Sequence, residues 1–219
     1  MHRFDNKVVV ITGGGQGIGR SAALKFAELG ARVAVVDVND ETGAKTVSDI
    51  RENHGIAEFF RADVSSSSDV KRALSEIVQS FQKIDVLYNN ASIFLPGKDG
   101  AVVDIEEEIW DRIISVNLKS VFLFCKHTIP YMLKMKSGSI INTSSSCGLI
   151  GIPDCDAYSA SKGATVALTR SLAVEYGPHG IRVNCIAPAA IRTPMLNSSD
   201  LGNNSFDEER FLKLRSPSR

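Results

Sequence analysis

Apolar residues along the chain alternate between two rhythms. Residues 7–12 (Lys-Val-Val-Val-Ile-Thr) are apolar at consecutive positions rather than at every second one, the pattern of a strand buried on both faces in a parallel sheet. A glycine-rich break follows. Ile18, Ala22, Phe26 and Leu29 then recur at helical spacing until Gly30 supplies a stop,. Residues 32–37, 57–63 and 84–88 predict three more strands with a helix between each pair, the last of them marked by the stripe Val70, Leu74, Ile77, Phe81,. Asp104 and Glu107 form an Asp-x-x-Glu start signal ahead of a long apolar-rich segment over residues 109–135,. Residues 139–143 predict a fifth strand, 158–176 a helix and 182–186 a sixth strand. Strands alternating with helices predict an α/β fold: a doubly wound, Rossmann-type parallel sheet with helices on both faces and ligands bound beyond the carboxyl ends of its strands.

Composition narrows the classes of partner. Lys plus Arg and Asp plus Glu both total 25 in 219 residues, so long-range attraction argues for neither a nucleic acid nor a membrane surface. No segment approaches the roughly 20 apolar residues of a membrane span, and residues 1–14 lack the apolar core of a signal peptide,. Cys125, Cys147, Cys155 and Cys185 lack Cys-x-x-Cys spacing and a histidine at ligand distance along the chain; reduced thiols, no metal and a cytosolic location are expected.

Two places carry chemistry. Thr12-Gly-Gly-Gly-Gln-Gly-Ile-Gly19 stands where the first strand hands over to the first helix. Glycines there admit a diphosphate close to the backbone, and the helix start offers unpaired N–H donors. Gly14 to Ser21 also reads G-x-x-x-x-G-R-S, one residue from the nucleoside-triphosphate pattern G-x-x-x-x-G-K-[ST],. Asp37, 20 positions beyond Gly17 at the end of the second strand, favours a dinucleotide, because a carboxylate there accepts two ribose hydroxyls and repels a 2′-phosphate. The cofactor expected is NAD rather than NADP.

The second place is Tyr158 and Lys162, four residues apart and so on one helix face,. A tyrosine hydroxyl, with a pKa of about 10, is a poor base at neutral pH, and a neighbouring ammonium favours its phenolate. Such a phenolate serves as general base toward an alcohol and, protonated, as general acid toward a ketone. The serines at 144–146 follow the fifth strand, where a hydroxyl can hold the same substrate oxygen,. Simpler roles stay open, Asn117 as a helix residue bonding a nearby turn and Ser145 as a turn former.

From residue 7 to 195 the chain resembles the short-chain dehydrogenase/reductase family. The resemblance is carried, in order, by the glycine turn, Asp37, Asp63-Val64, Asn89-Asn90-Ala91, Asn117, the serine cluster, Tyr158-Ser-Ala-Ser-Lys162 and the segment 184–195. It implies a catalytic tetrad of Asn117, Ser145, Tyr158 and Lys162, with Ser145 chosen because the family's serine lies 13 positions before the tyrosine. Tyr158 would be the acid/base, Lys162 would lower its pKa and hold the nicotinamide ribose, and Asn117 would anchor a proton-relaying water. Gly13, Gln16, Gly17, Ile18 and Gly19 would hold the dinucleotide along with Asp37. Asp63 and Val64 would bracket the adenine, Asn90 would lie against the cofactor, and Ile191 and Thr193 would contact the carboxamide.

The resemblance thus predicts an NAD-dependent oxidoreductase for a small hydrophobic secondary alcohol or ketone, and a homo-oligomer, dimer or tetramer. Residues 1–196 would be its dinucleotide-binding and catalytic domain and 197–219 a substrate lid or frayed tail. Three departures stand out. Ser92 and Ala189 replace glycines usual in the family, and the family's further helix and seventh strand do not follow, which leaves the sixth strand an expected open edge. A catalytically idle dinucleotide-binding or interaction module is the alternative; a serine hydrolase is disfavoured, since no G-x-S-x-G occurs,.

Overall fold

In the computed structural model, which describes residues 4–197, six parallel strands form one sheet: β1 (Val8–Thr12), β2 (Arg32–Asp37), β3 (Ile56–Arg61), β4 (Val86–Asn89), β5 (Gly138–Thr143) and β6 (Ile181–Ile186). The helices are α1 (Gly17–Glu28), α2 (Asp40–Glu52), α3 (Ser67–Phe81), α4 (Glu107–Ile114), α5 (Ser120–Met135), α6 (Asp156–Tyr176) and the short α7 (Pro194–Asn197). Spatial order is β3-β2-β1-β4-β5-β6. The winding reverses between β1 and β4, which opens a crevice beyond the carboxyl ends of those two strands. Residues 198–219 of the expected lid or tail lie outside the described residues.

Consecutive apolar residues in β1 are explained by two cores. Val8 and Val10 pack with Leu74, Ile77 and Phe81 of α3 and with Phe124 and Met132 of α5. Val9 and Ile11, pointing the other way, meet Ala23 and Ala27 of α1 and Val47 and Ile50 of α2. All four β1 side chains are fully buried, each worth about 1.5–3 kcal/mol relative to exposure.

Several expected boundaries move. The segment expected as one helix over 109–135 starts at Glu107 and is interrupted by a π-helical turn at Ser115–Lys119. Asp104 does not cap it: its N–H donates to the Ala101 carbonyl at 2.8 Å, so it belongs to the preceding turn, and the N-cap is Glu106. Helix α6 begins two residues before Tyr158. Neither Ser92 nor Ala189 adopts a positive φ, so their extra Cβ atoms cost no backbone strain there. Among the described residues β6 pairs with β5 alone, leaving Ile186 40% exposed on the sheet's edge.

Candidate active site

All six strands deliver their carboxyl ends to one cavity of about 300 Å³. Gly13, Gln16, Gly17 and Ile18 line it after β1, Asp37 after β2, Asp63 and Val64 after β3, Asn90 after β4 and Ser145 after β5; Tyr158, Lys162, Ile191 and Thr193 close it. Of the residues singled out by sequence, Gly19 and Asn117 stand behind the wall rather than in it.

At the glycine turn main chain packs on main chain, braced by the side chains of Thr12 and Asn90. Gly13 has φ +64°, and a Cβ there would sit 2.9 Å from Ala91 Cα; a Cβ on Gly19 would run into the Gly13 carbonyl oxygen. Helix α1 therefore starts directly against the turn. Thr12 Oγ1 accepts the N–H groups of Asn90 and Ala91, both at 3.0 Å, while Asn90 Nδ2 donates back to the carbonyls of Thr12 (3.1 Å) and Gly13 (3.2 Å). The N-cap of α1, Gln16, makes no side-chain capping bond, and the first turn contains no acidic residue. Its amide donors and positive dipole end suit a bound anion.

Asp37 uses one oxygen to accept the Gly15 N–H at 2.9 Å and the other to accept the Asn39 N–H at 3.1 Å. A carboxylate has about four acceptor sites, which leaves room for two hydroxyls. Arg20, standing where the triphosphate pattern wants lysine, is turned away to Asp49 at 2.6 Å, which removes that rival. At Asp63 burial pushes the carboxyl pKa up, but the Ser65 hydroxyl and amide, at 2.6 and 2.9 Å, and the Arg112 guanidinium outweigh it and hold it below the usual range.

Side chains build the catalytic end. Asn117 sits in the π-helical turn, 1% exposed, its Oδ1 accepting the Ile93 N–H (2.7 Å) while its Nδ2 donates to the Ile93 carbonyl (2.9 Å) and to Ser161 Oγ (3.2 Å). Lys162 is 1% exposed and donates to the Thr143 carbonyl at 2.9 Å. An ammonium has three donors, so two remain for a ligand. Burial lowers the Lys162 pKa to about 8. Its Nζ lies 5.6 Å from the centre of the Tyr158 ring, the two side chains sharing one face of α6 as the four-residue spacing predicts.

The three serines have separate partners. Ser144 Oγ donates to the Lys162 carbonyl at 2.7 Å; Ser146 Oγ is buried with no protein hydrogen bond; Ser145 Oγ accepts the Cys147 N–H at 3.2 Å and lines the cavity with its proton uncommitted by that bond. Sequence reasoning reaches Ser144 only as part of the serine cluster, with Ser145 preferred, and it misses Ser161, Phe94 (ring centre 4.9 Å from that of Tyr158) and Asp99, whose carboxylate accepts the Tyr158 N–H at 2.9 Å. Ser161 lies inside the Tyr-to-Lys motif and was recoverable as a face neighbour of Tyr158. Asp99 gave no sequence signal.

A dinucleotide fits this cavity: a turn with no room for Cβ atoms at its anion end, hydroxyl acceptors on Asp37, and a buried ammonium with open donors at the other end. A family model described as short chain dehydrogenase matches residues 7–204. Cyclohexanol dehydrogenase of Acinetobacter sp. (strain SE19) is 37% identical over 213 residues, covering 97% of this chain and 81% of that protein. A crystal structure of levodione reductase superposes with a TM-score of 0.87 at 36% identity over 97% of this chain and 81% of the other; NAD+-bound xylitol dehydrogenase does so with 0.82 at 35% over 86% and 72%. With the crevice, the glycine turn and these matches in agreement, the chain belongs to the short chain dehydrogenase family.

Proposed function

We propose that the protein is an NAD-dependent oxidoreductase that interconverts an uncharged secondary alcohol and its ketone, with Tyr158 as general acid/base. The single observation that carries this reading is the buried Lys162 ammonium 5.6 Å from the Tyr158 ring centre. When bound, NAD accepts the carbon-bound hydrogen with its electron pair. Toward the alcohol, Tyr158 Oη takes the hydroxyl proton as the carbonyl forms; in the reverse direction it returns that proton to the ketone oxygen. Ser145 Oγ donates to the substrate oxygen and stabilises its developing charge. Lys162 favours the phenolate electrostatically and offers its two open donors to the cofactor's ribose. Asn117 holds Ile93, in the loop after β4, and, through Ser161, the helix that carries Tyr158.

The Asp37 carboxylate supports NAD over NADP, since a 2′-phosphate would meet a like charge. Gly13, Gln16, Gly17 and Ile18 take the diphosphate, with Gly19 behind them letting α1 start against the Gly13 carbonyl; Asp63 and Val64 take the adenine, Asn90 the back of the glycine turn, and Ile191 and Thr193 the carboxamide. Ile93, Phe94, Cys147, Ala190 and Met195 give the substrate side an apolar wall, which suits a hydrophobic substrate such as the cyclohexanol for which one relative is named,. Four reduced cysteines support a cytosolic setting, and the exposed Phe122, Leu133 and Met135 on α5 support a homo-oligomer, dimer or tetramer.

The test is Tyr158→Phe with cyclohexanol and NAD. Turnover should fall about 10²–10⁴-fold while NADH binding persists. Turnover at the parent level rejects the scheme.

A further inference from the structure

Asp99 is a buried carboxylate that this scheme leaves without a task. It lies on the loop after β4 and is 3% exposed. A tight turn, in which the Leu95 carbonyl accepts the N–H groups of Lys98 (3.0 Å) and Asp99 (2.7 Å), delivers it to the start of α6. There Oδ2 accepts the Tyr158 N–H at 2.9 Å, and Oδ1 accepts those of Ala157 at 3.1 Å and Gly100 at 3.0 Å. First-turn amides are usually satisfied by the side chain of the helix's own N-cap residue. In α6 that residue is Cys155, which makes no capping bond; its Sγ donates to the Ile152 carbonyl instead. The cap therefore arrives from 59 positions earlier in the chain.

Two more bonds clamp the same loop: the Asp156 N–H donates to the Gly100 carbonyl (3.2 Å), and the Val102 N–H to the Asp156 carboxylate (2.9 Å). Near the loop's other end Phe94 packs on the Tyr158 ring, and Asn117 holds both main-chain groups of Ile93. One loop thus contacts Tyr158 twice, at its backbone through Asp99 and at its ring through Phe94.

We infer that Asp99 is a positioning residue for the reaction: by capping α6 at Tyr158 itself, it fixes the height and tilt of the phenol over the crevice and holds the Phe94 wall against it. The inference rests on the acid/base role proposed for Tyr158. A helix frays first where its opening amides lack acceptors, and a base on a fraying turn loses its register with the substrate oxygen. Burial pushes the Asp99 carboxyl pKa up while the three N–H donors pull it back. An asparagine could not replace it, because its amide nitrogen would face one of those donors.

The experiment compares Asp99→Asn, Tyr158→Phe and the parent, with cyclohexanol as probe and NAD as cofactor. For Asp99→Asn, kcat per NADH-binding site should fall about tenfold or more while the Kd for NADH stays within about twofold. The isotope effect on kcat with α-deuterated cyclohexanol should rise, since the chemical step becomes limiting; loss of folded protein alone would change the number of sites and not this ratio. Parental kcat and isotope effect in Asp99→Asn overturn the inference. Parental turnover in Tyr158→Phe would remove the scheme itself, so the two failures are distinguishable. Amide exchange in the unsubstituted protein needs neither turnover nor a folded variant. Ala157 and Tyr158 N–H should exchange as slowly as amides inside α6, and exchange at the rate of exposed loop amides overturns the inference.

Discussion

The two ends of the crevice are held by different means. At the β1–α1 turn main chain packs on main chain, with Gly13 against Ala91 and Gly19 against the Gly13 carbonyl. At the catalytic end side chains reach across to main-chain groups: Asn117 to Ile93, Ser144 to the Lys162 carbonyl, Lys162 to the Thr143 carbonyl and Asp99 to Tyr158. The turn end tolerates no added atom at Gly13 or Gly19, and its polar side chains, Thr12 and Asn90, brace main chain that is already in contact. A side-chain-built end tolerates small changes of volume, yet loss of one polar atom strands a buried partner at about 1–3 kcal/mol.

Gly19→Ala should separate the ends most sharply. Its Cβ must displace the Gly13 carbonyl, so the Kd for NADH should rise about 100-fold, and overpacking should cost about 1–3 kcal/mol of stability. Exchange of the Ala157 and Tyr158 amides should stay as in the parent, because nothing at that end rests on the turn. Loss of their protection would show that the ends are one unit. Fluorescence titration and residue-resolved exchange read the two halves of this prediction.

Asp37, like Thr12 and Asn90, is a side chain on which the glycine-turn end relies. Asp37→Ala removes the acceptor of the Gly15 N–H together with the proposed ribose contacts, and NAD binding should weaken about tenfold. NADP binding should improve, since the like charge is gone. A variant that keeps the parental ratio of NAD to NADP affinity would assign discrimination elsewhere in the cavity.

The same contrast explains what could be read from the sequence. The glycine turn, Asp37 and the Tyr158–Lys162 pair are local patterns, each within one element or one strand–turn–helix unit, and the structure brings them to one cavity. The apolar rhythm foretold all six strands, as continuous runs in β1, β2 and β4, where both faces are buried, and as shorter or interrupted runs in β3, β5 and β6, where part of each strand is exposed or half-buried. It missed the π-helical turn at Ser115–Lys119, since such a turn keeps the apolar stripe while shifting its register. Asp99 was illegible for a different reason: its partners on α6 are 58 and 59 positions away and are backbone amides, which have no side-chain signature. Asp104 misled in the opposite way, with a sound start signal over a short span but a main chain already committed to the preceding turn.

Lys162 gives the smallest and most discriminating effect. Its pKa falls from an ordinary 10.5 to about 8 because it is buried. In the unfolded chain the amine keeps its proton until near its ordinary value, so between those two pH values the unfolded state binds more protons and stability rises with pH. Below pH 8 both states hold the proton and the slope vanishes. From pH 8 to 9 the gain should be about 1 kcal/mol, read as the difference between the denaturation midpoints of the parent and of Lys162→Met, which lacks the titrating group. Carrying Tyr158→Phe in both proteins removes the phenol whose titration Lys162 would itself shift, and groups remote from Lys162 cancel in that difference. Gly19→Ala, whose lesion lies at the glycine-turn end, should keep the parental slope, and parallel profiles for parent and Lys162→Met would mean the ammonium is not desolvated. A cation that lowers stability at neutral pH is hard to explain as a packing element, and it is what a site needs to hold a phenolate within reach of a substrate oxygen.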